Sequence, residues 1–230
     1  MAFVLRVFVG DVLPGALVTG LRSRRKQPRV TLAESEFLDG RNTVRVASRR
    51  SFVGRRRVLQ ACIRSLRGRD TVGVWLHGMG GLGKSSVAAR LCDRLSEMKR
   101  LVIVGALDEG NLVSKIGRSL ASSELRSVVQ GNSEELFYRL RSVLMDCDET
   151  LLIVLDDFEQ NLEPSGAEYK VKELAAKVLR DLVEAIGESG REHRIVVTCR
   201  YRVAGLERFL CDRWREWMGR SWRRNDRSLR

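Results

Sequence analysis

An α/β fold of three layers, with helices on both faces of a mainly parallel sheet, follows from three features of this 230-residue sequence. Four short apolar runs recur along the chain: "VGVWLH" (72–77), "LVIVGAL" (101–107), "LLIVLDD" (151–157) and "RIVVTCR" (194–200). They are rich in Val, Ile and Leu without polar alternation, the pattern of strands covered on both faces. Helical patterns separate them, and strand alternating with helix implies right-handed crossovers between parallel strands. Finally, "WLHGMGGLGKSSVAARL" (75–91) sets a glycine-rich loop directly between a strand and a helix.

Taken in order, residues 1–50 hold short apolar pieces, the basic run "RSRRK" and the turn signal "DGRN". They are expected to form an irregular flank, because no closed core can be assembled from them. A domain is expected over 51–206. It opens with "SFVGRRRVLQACIRSL" (51–66), a turn leading into an amphipathic helix with Val58, Leu59, Ile63 and Leu66 on one face. Further helices are expected over 84–97, 109–121, 133–146 and 168–187. The last rests on Val171, Leu174, Val178, Leu182 and Ile186 and stops at Gly187, where "GESG" supplies helix-ending residues. Residues 207–230 are Arg/Trp-rich, and Trp214, Trp217 and Trp222 fit one face of a short helix. Residues 1–45 and 211–230 are expected to pack loosely, since neither concentrates enough apolar surface to offset the entropy of ordering.

The net charge of +13 is unevenly placed. Residues 1–69 carry 16 Lys/Arg against 4 Asp/Glu, and 201–230 carry 9 against 4, so the middle of the chain is mildly acidic. A basic flank attracts phosphate backbones, but no recognition motif or aromatic interleaving accompanies it, which argues against a nucleic-acid partner. Five scattered cysteines without CxxC spacing and two histidines exclude a disulfide framework and a structural zinc site. The apolar N-terminus is interrupted by Arg6, Asp11 and Pro14, unlike a signal peptide or a membrane span. A soluble, cytoplasmic protein is expected, with no membrane partner.

Gly78-Met-Gly-Gly-Leu-Gly83-Lys84-Ser85 has the spacing GxxxxGKS, the phosphate loop, with the strand before it and helix after it that the motif requires. Gly78, Gly80, Gly81 and Gly83 let consecutive N–H groups curl inward as a cradle for phosphate oxygens, and the helix N-terminus adds partial positive charge. Lys84 is expected to reach the β- and γ-phosphates, and Ser85 to ligate Mg²⁺. Ser86 counts among the nucleotide-binding candidates, although a first-turn helical role suits it better. Asp156, at the end of an apolar run, is expected to hold Mg²⁺. Asp157 is expected to orient or deprotonate the attacking water. Thr198 and Arg200, at the end of the fourth run, are placed to sense the γ-phosphate. Cys199 between them alternates to the other face and reads as packing.

In the order "FVGRRRVLQ", "GMGGLGKSS", "LLIVLDDFEQNL" and "RIVVTCRY", the sequence resembles the NB-ARC-like signal-transduction ATPases with numerous domains, the STAND class of P-loop NTPases, its bacterial members above all. The likeness covers about residues 51–210. It implies a nucleotide switch in which ADP holds the protein closed and exchange for ATP permits homo-oligomerisation and signalling, with slow or absent hydrolysis. By position, Val53, Gly54 and Arg55 match the family's adenine-side "VGR" element. Gly83, Lys84 and Ser85 match its phosphate and metal contacts, Asp156 and Asp157 its acidic pair, and Arg200 its sensor arginine. Departures are equally plain. Arg56 replaces the acid of "VGRE", and neither a GxP motif nor a winged-helix histidine follows. A truncated nucleotide-binding domain is therefore expected, with 1–50 as a remnant of an upstream effector region. The rival readings are a small-molecule kinase on the same fold, a basic nucleic-acid-binding protein and a non-functional fragment.

Overall fold

The computed structural model describes residues 36–52, 54–68, 71–166, 168–201, 203 and 214–218. A small antiparallel hairpin of β1 (Glu36–Phe37) and β2 (Arg45–Val46) comes first. Asp39 closes its turn by accepting from the backbone N–H groups of Thr43 and Val44 at 3.0 and 3.1 Å. Helix α1 (Arg56–Arg67) follows, then β3 (Gly73–His77), α2 (Lys84–Arg94), β4 (Lys99–Val104), α3 (Glu109–Ser119), α4 (Ser123–Gln130) and α5 (Leu136–Asp146). Next come β5 (Leu151–Asp156), a 3-10 turn (Phe158–Asn161), a hairpin of β6 (Leu162–Ser165) and β7 (Glu168–Val171), α6 (Glu173–Glu188), β8 (Arg194–Cys199) and β9 (Trp214–Met218).

The main sheet has the order β4-β5-β8-β3-β9, and every neighbouring pair in it is parallel. Side chains alternate along each strand, so each strand feeds two separate cores. Val74, Leu76, Val102, Leu152, Val154 and Val196 pack beneath α1 and α2, where Val58, Leu59, Val87 and Leu91 meet them. Trp75, Ile103, Ile153, Leu155, Ile195 and Val197 face the opposite way, against α3, α5 and α6 through Leu112, Leu140, Leu144, Leu179 and Leu182. Two apolar cores around one parallel sheet make the three expected layers.

Three expectations need correction. Leu38, expected to pack loosely, and Val46, placed in the irregular flank, are buried with the α1–α2 core, so packing begins well ahead of residue 51. Arg90 fastens this segment by pairing with Glu36, and Ser86 Oγ accepts from Ala47 N–H at 3.1 Å. Residues 168–171 are strand rather than helix. Gly166 turns at φ +63° and Val171 pairs across to Leu162, so its apolar side chain belongs to a hairpin that shares the helix's spacing only by coincidence. Trp214 and Trp217 lie in a strand that pairs with β3, not in a helix. Helix α4 had no counterpart in the sequence reading: it is short, with Val129 its one buried residue, and Ser122 caps it by accepting from Leu125 N–H. Residues 1–35 and Trp222 lie outside the described residues, as does Val53.

Candidate nucleotide site

Strand order explains why distant residues meet. β8 lies between β3 and β5, so the C-terminal ends of the strands that precede the glycine loop and carry Asp156 are separated by one strand only. Gly78 N–H donates to Cys199 O at 3.2 Å and ties the start of the loop to the end of β8. The loop then turns through Gly81 at φ +76° and Gly83 at φ +70°, a region that L side chains enter at a steric cost. Gly83 is also crowded, because a Cβ there would lie 3.0 Å from Arg55 Nη1.

Lys84 is buried, and its Nζ donates to the carbonyls of Gly78 and Met79 at 2.8 and 3.1 Å, which sets the ammonium inside the loop. Burial lowers its pKa, while the negative charge of Glu159 opposes that shift. The first turn of α2 supplies Ser85, whose hydroxyl donates to Asp156 Oδ2 at 3.1 Å. Thr198 donates to the other oxygen, Oδ1, at 2.6 Å, and accepts from Asp157 N–H at 3.2 Å. Thr198 thus fixes Asp156 and the backbone of Asp157. Asp156 is 1% exposed, and desolvation raises its pKa against the lowering by Thr198 and Ser85. A buried carboxylate beside a hydroxyl suits Mg²⁺, which keeps several waters and completes its octahedron with phosphate oxygens. Among the described residues no group of three or more His, Cys, Asp or Glu could hold a metal by itself.

The remaining candidates fall around this centre. Asp157 stands at φ +54°, left-handed, so its side chain leaves the strand alternation that aims Asp156 at Ser85. Arg55 is left-handed too, at φ +58°, immediately after Gly54 at φ +86°, and the pair opens α1 beside Gly83. Arg200 ion-pairs with Glu159, and its guanidinium lies 3.7 Å from a Cβ placed on Gly80. Ser86, through Ala47, holds the N-terminal hairpin. Cys199 is fully buried in the α3–α5–α6 core, and its thiol is pushed up to about 11 by burial, as a packing residue should be. Glu159 is the participant that sequence reasoning missed. Its only signal was a position three residues beyond Asp156.

A glycine loop at a strand-to-helix junction, with lysine, serine and a buried strand-end aspartate converging on it, defines a P-loop nucleoside-triphosphatase fold. The chain belongs to the family described as novel STAND NTPase 1, whose model matches residues 40–207, and is a nucleotide-binding NTPase module. The match begins at residue 40, in the hairpin turn, and the finer NB-ARC likeness rests on the quoted motifs alone. No curated protein matches the chain. Among solved structures it is similar to a Walker-type ATPase of Pyrococcus abyssi, with 12% identity and a TM-score of 0.44 over 70% of this chain and 49% of that one. PCH-2 of C. elegans shares 15% identity, with a TM-score of 0.36 over 70% and 41% of the two chains. The E. coli MS115-1 HORMA:CdnC:Trip13 complex shares 12%, with a TM-score of 0.32 over 71% and 52%. The chain spans about half the length of these structures, and likeness at that level carries no functional argument. No helix among the described residues is long and apolar enough to cross a membrane.

Proposed function

We propose that this chain is the adenine-nucleotide switch module of a STAND-type regulatory ATPase, binding ADP or ATP with Mg²⁺ and hydrolysing slowly if at all. The observation that carries the reading is the chain of contacts from Thr198 through Asp156 to Ser85, set beside a glycine loop that encloses Lys84. Backbone N–H groups of the loop and the N-terminus of α2 would bind phosphate oxygens. Lys84 exchanges its two loop carbonyls for the β- and γ-phosphates. Ser85 and Asp156 hold the cation, which when bound withdraws charge from the phosphate oxygens. Thr198 keeps Asp156 in register, and Asp157 is assigned to orient water. Arg200 reads the γ-phosphate, while Gly54 and Arg55 border the adenine side. In a longer context, ATP-dependent homo-oligomerisation is the expected output.

Calorimetry with Mg·ADP and Mg·ATP tests the reading. Lys84→Ala is expected to weaken both by about tenfold or more, the loss of a charge-assisted contact. Equal ADP affinity for the two proteins would overturn it.

A further inference from the structure

Glu159 sits in the 3-10 turn after β5 and grips Arg200 at two points. Its Oε1 lies 2.7 Å from Arg200 Nε in an ion pair, and its Oε2 accepts from the backbone N–H of Arg200 at 3.2 Å. The carboxylate is 14% exposed and the guanidinium side chain 55%, so the acid is the fixed partner and the arginine the one being held. An ion pair this exposed adds little stability, whereas a two-point grip does restrict direction. The guanidinium then lies across the glycine loop. A Cβ on Gly80 would meet its Cζ and Nη1 at 3.7 Å and its Nε at 3.8 Å, near-equal distances that place the flat face over the loop.

We propose that Glu159 is a positioning residue that aims Arg200 at the γ-phosphate and thereby sets the preference of the site for nucleoside triphosphate over diphosphate. The proposal rests on the nucleotide-site reading above. A long unrestrained arginine loses rotamer freedom when it grips a phosphate, and one already ion-paired beside the loop loses less. That advantage reaches only a ligand that carries a γ-phosphate. The negative charge of Glu159 works in the opposite sense, repelling the same phosphate. Orientation and repulsion therefore predict opposite signs for the loss of the carboxylate, and the assignment here is that orientation wins.

The test compares calorimetric affinities for Mg·ADP and a non-hydrolysable Mg·ATP analogue in the intact chain. Glu159→Ala is expected to lower the triphosphate-to-diphosphate preference about tenfold while ADP affinity changes less than about twofold. Glu159→Gln keeps an acceptor for the Arg200 backbone N–H and should retain more of the preference than Glu159→Ala. In an Arg200→Ala background, Glu159→Ala should lower the ratio no further, because only the repulsion is left to remove. Arg200→Lys, which lacks the Nε–H and leaves the turn intact, should lose the preference as Arg200→Ala does. Independently of any nucleotide, the Arg200 backbone amide, which donates to Glu159, should exchange with solvent more slowly in the parent chain than in Glu159→Ala. A ratio that rises or stays constant in Glu159→Ala would overturn the proposal, as would an equal shift in the Arg200→Ala background. If the parent chain binds neither nucleotide, the nucleotide-site reading falls and takes this proposal with it. If both bind and only the ratio fails to move, the role of Glu159 alone is lost.

Discussion

Thr198 is the least conspicuous residue of the site, yet Asp156 depends on it. Its hydroxyl satisfies one carboxylate oxygen and one backbone N–H in a place where water has little access. Thr198→Val keeps the shape and removes both bonds, leaving Asp157 N–H and a buried oxygen without that partner. Such a loss costs about 1–3 kcal/mol, and urea unfolding should read a destabilisation in that range. Mg²⁺-dependent tightening of ATP should weaken in the same variant. The two aspartates should separate further: Asp156→Ala abolishes that tightening, whereas Asp157→Ala leaves binding intact and lowers any turnover. Identical binding behaviour of both would show that their roles are not divided. That Lys84 and Ser85 lie together was legible because a phosphate loop fixes residue type and spacing together, and Asp156 stood out as the acid that ends a buried apolar strand. Glu159 was not, because its role comes from Arg200, a partner 41 residues away that only strand order brings near.

Among the elements, β3, β5 and β8 were legible nearly to the residue and β4 slightly less closely, since a strand buried on both faces has a continuous apolar signature. The hairpin of β6 and β7 was not: Val171, Leu174 and Val178 have helical spacing, but Pro164 and Gly166 interrupt the run just upstream. His193 shows how elements are joined. Buried completely just before β8, it accepts at Nδ1 from Leu151 N–H at 3.0 Å and donates from Nε2 to Leu144 O at 2.8 Å, linking α5 to the start of β5. Burial lowers its pKa below the usual 6.5, with Arg191 and Arg194 adding to the effect and the Leu144 carbonyl opposing it. The unfolded chain therefore takes up this proton at a higher pH than the folded one. Its stabilising contribution is fully present above 6.5 and is lost as pH falls toward the depressed folded value. Urea midpoints should drop as pH falls through this window. His193→Gln, less stable throughout, should show a flatter dependence there, and an unchanged slope would remove His193 as its source.

For the molecule as a whole, the position of β3 is decisive, because the strand that ends in the phosphate loop is interior only while β9 covers it. The register runs from Gly73 opposite Trp214 to His77 opposite Met218, along the full length of β3. Sequence reasoning set these residues apart because "WREWM" is short and lies among arginines, and because parallel pairing leaves no local mark on the paired segments. Backbone pairing does not require a long apolar stripe. Removing residues 214–230 should convert β3 into an edge strand with unpaired N–H and C=O groups, a template for pairing between chains. Each lost ladder hydrogen bond costs about 1 kcal/mol net, so a lower urea midpoint and concentration-dependent association are expected. Nucleotide affinity should fall as well, since the loop inherits its position from the end of β3. Hydrogen exchange on the intact chain supplies the direct measurement. Amides of 214–218 should exchange much more slowly than an unstructured peptide, though faster than those of β5, which has a paired strand on each side. If they exchange at the unstructured rate, β9 does not hold β3, and both the edge-strand and the affinity predictions fall together.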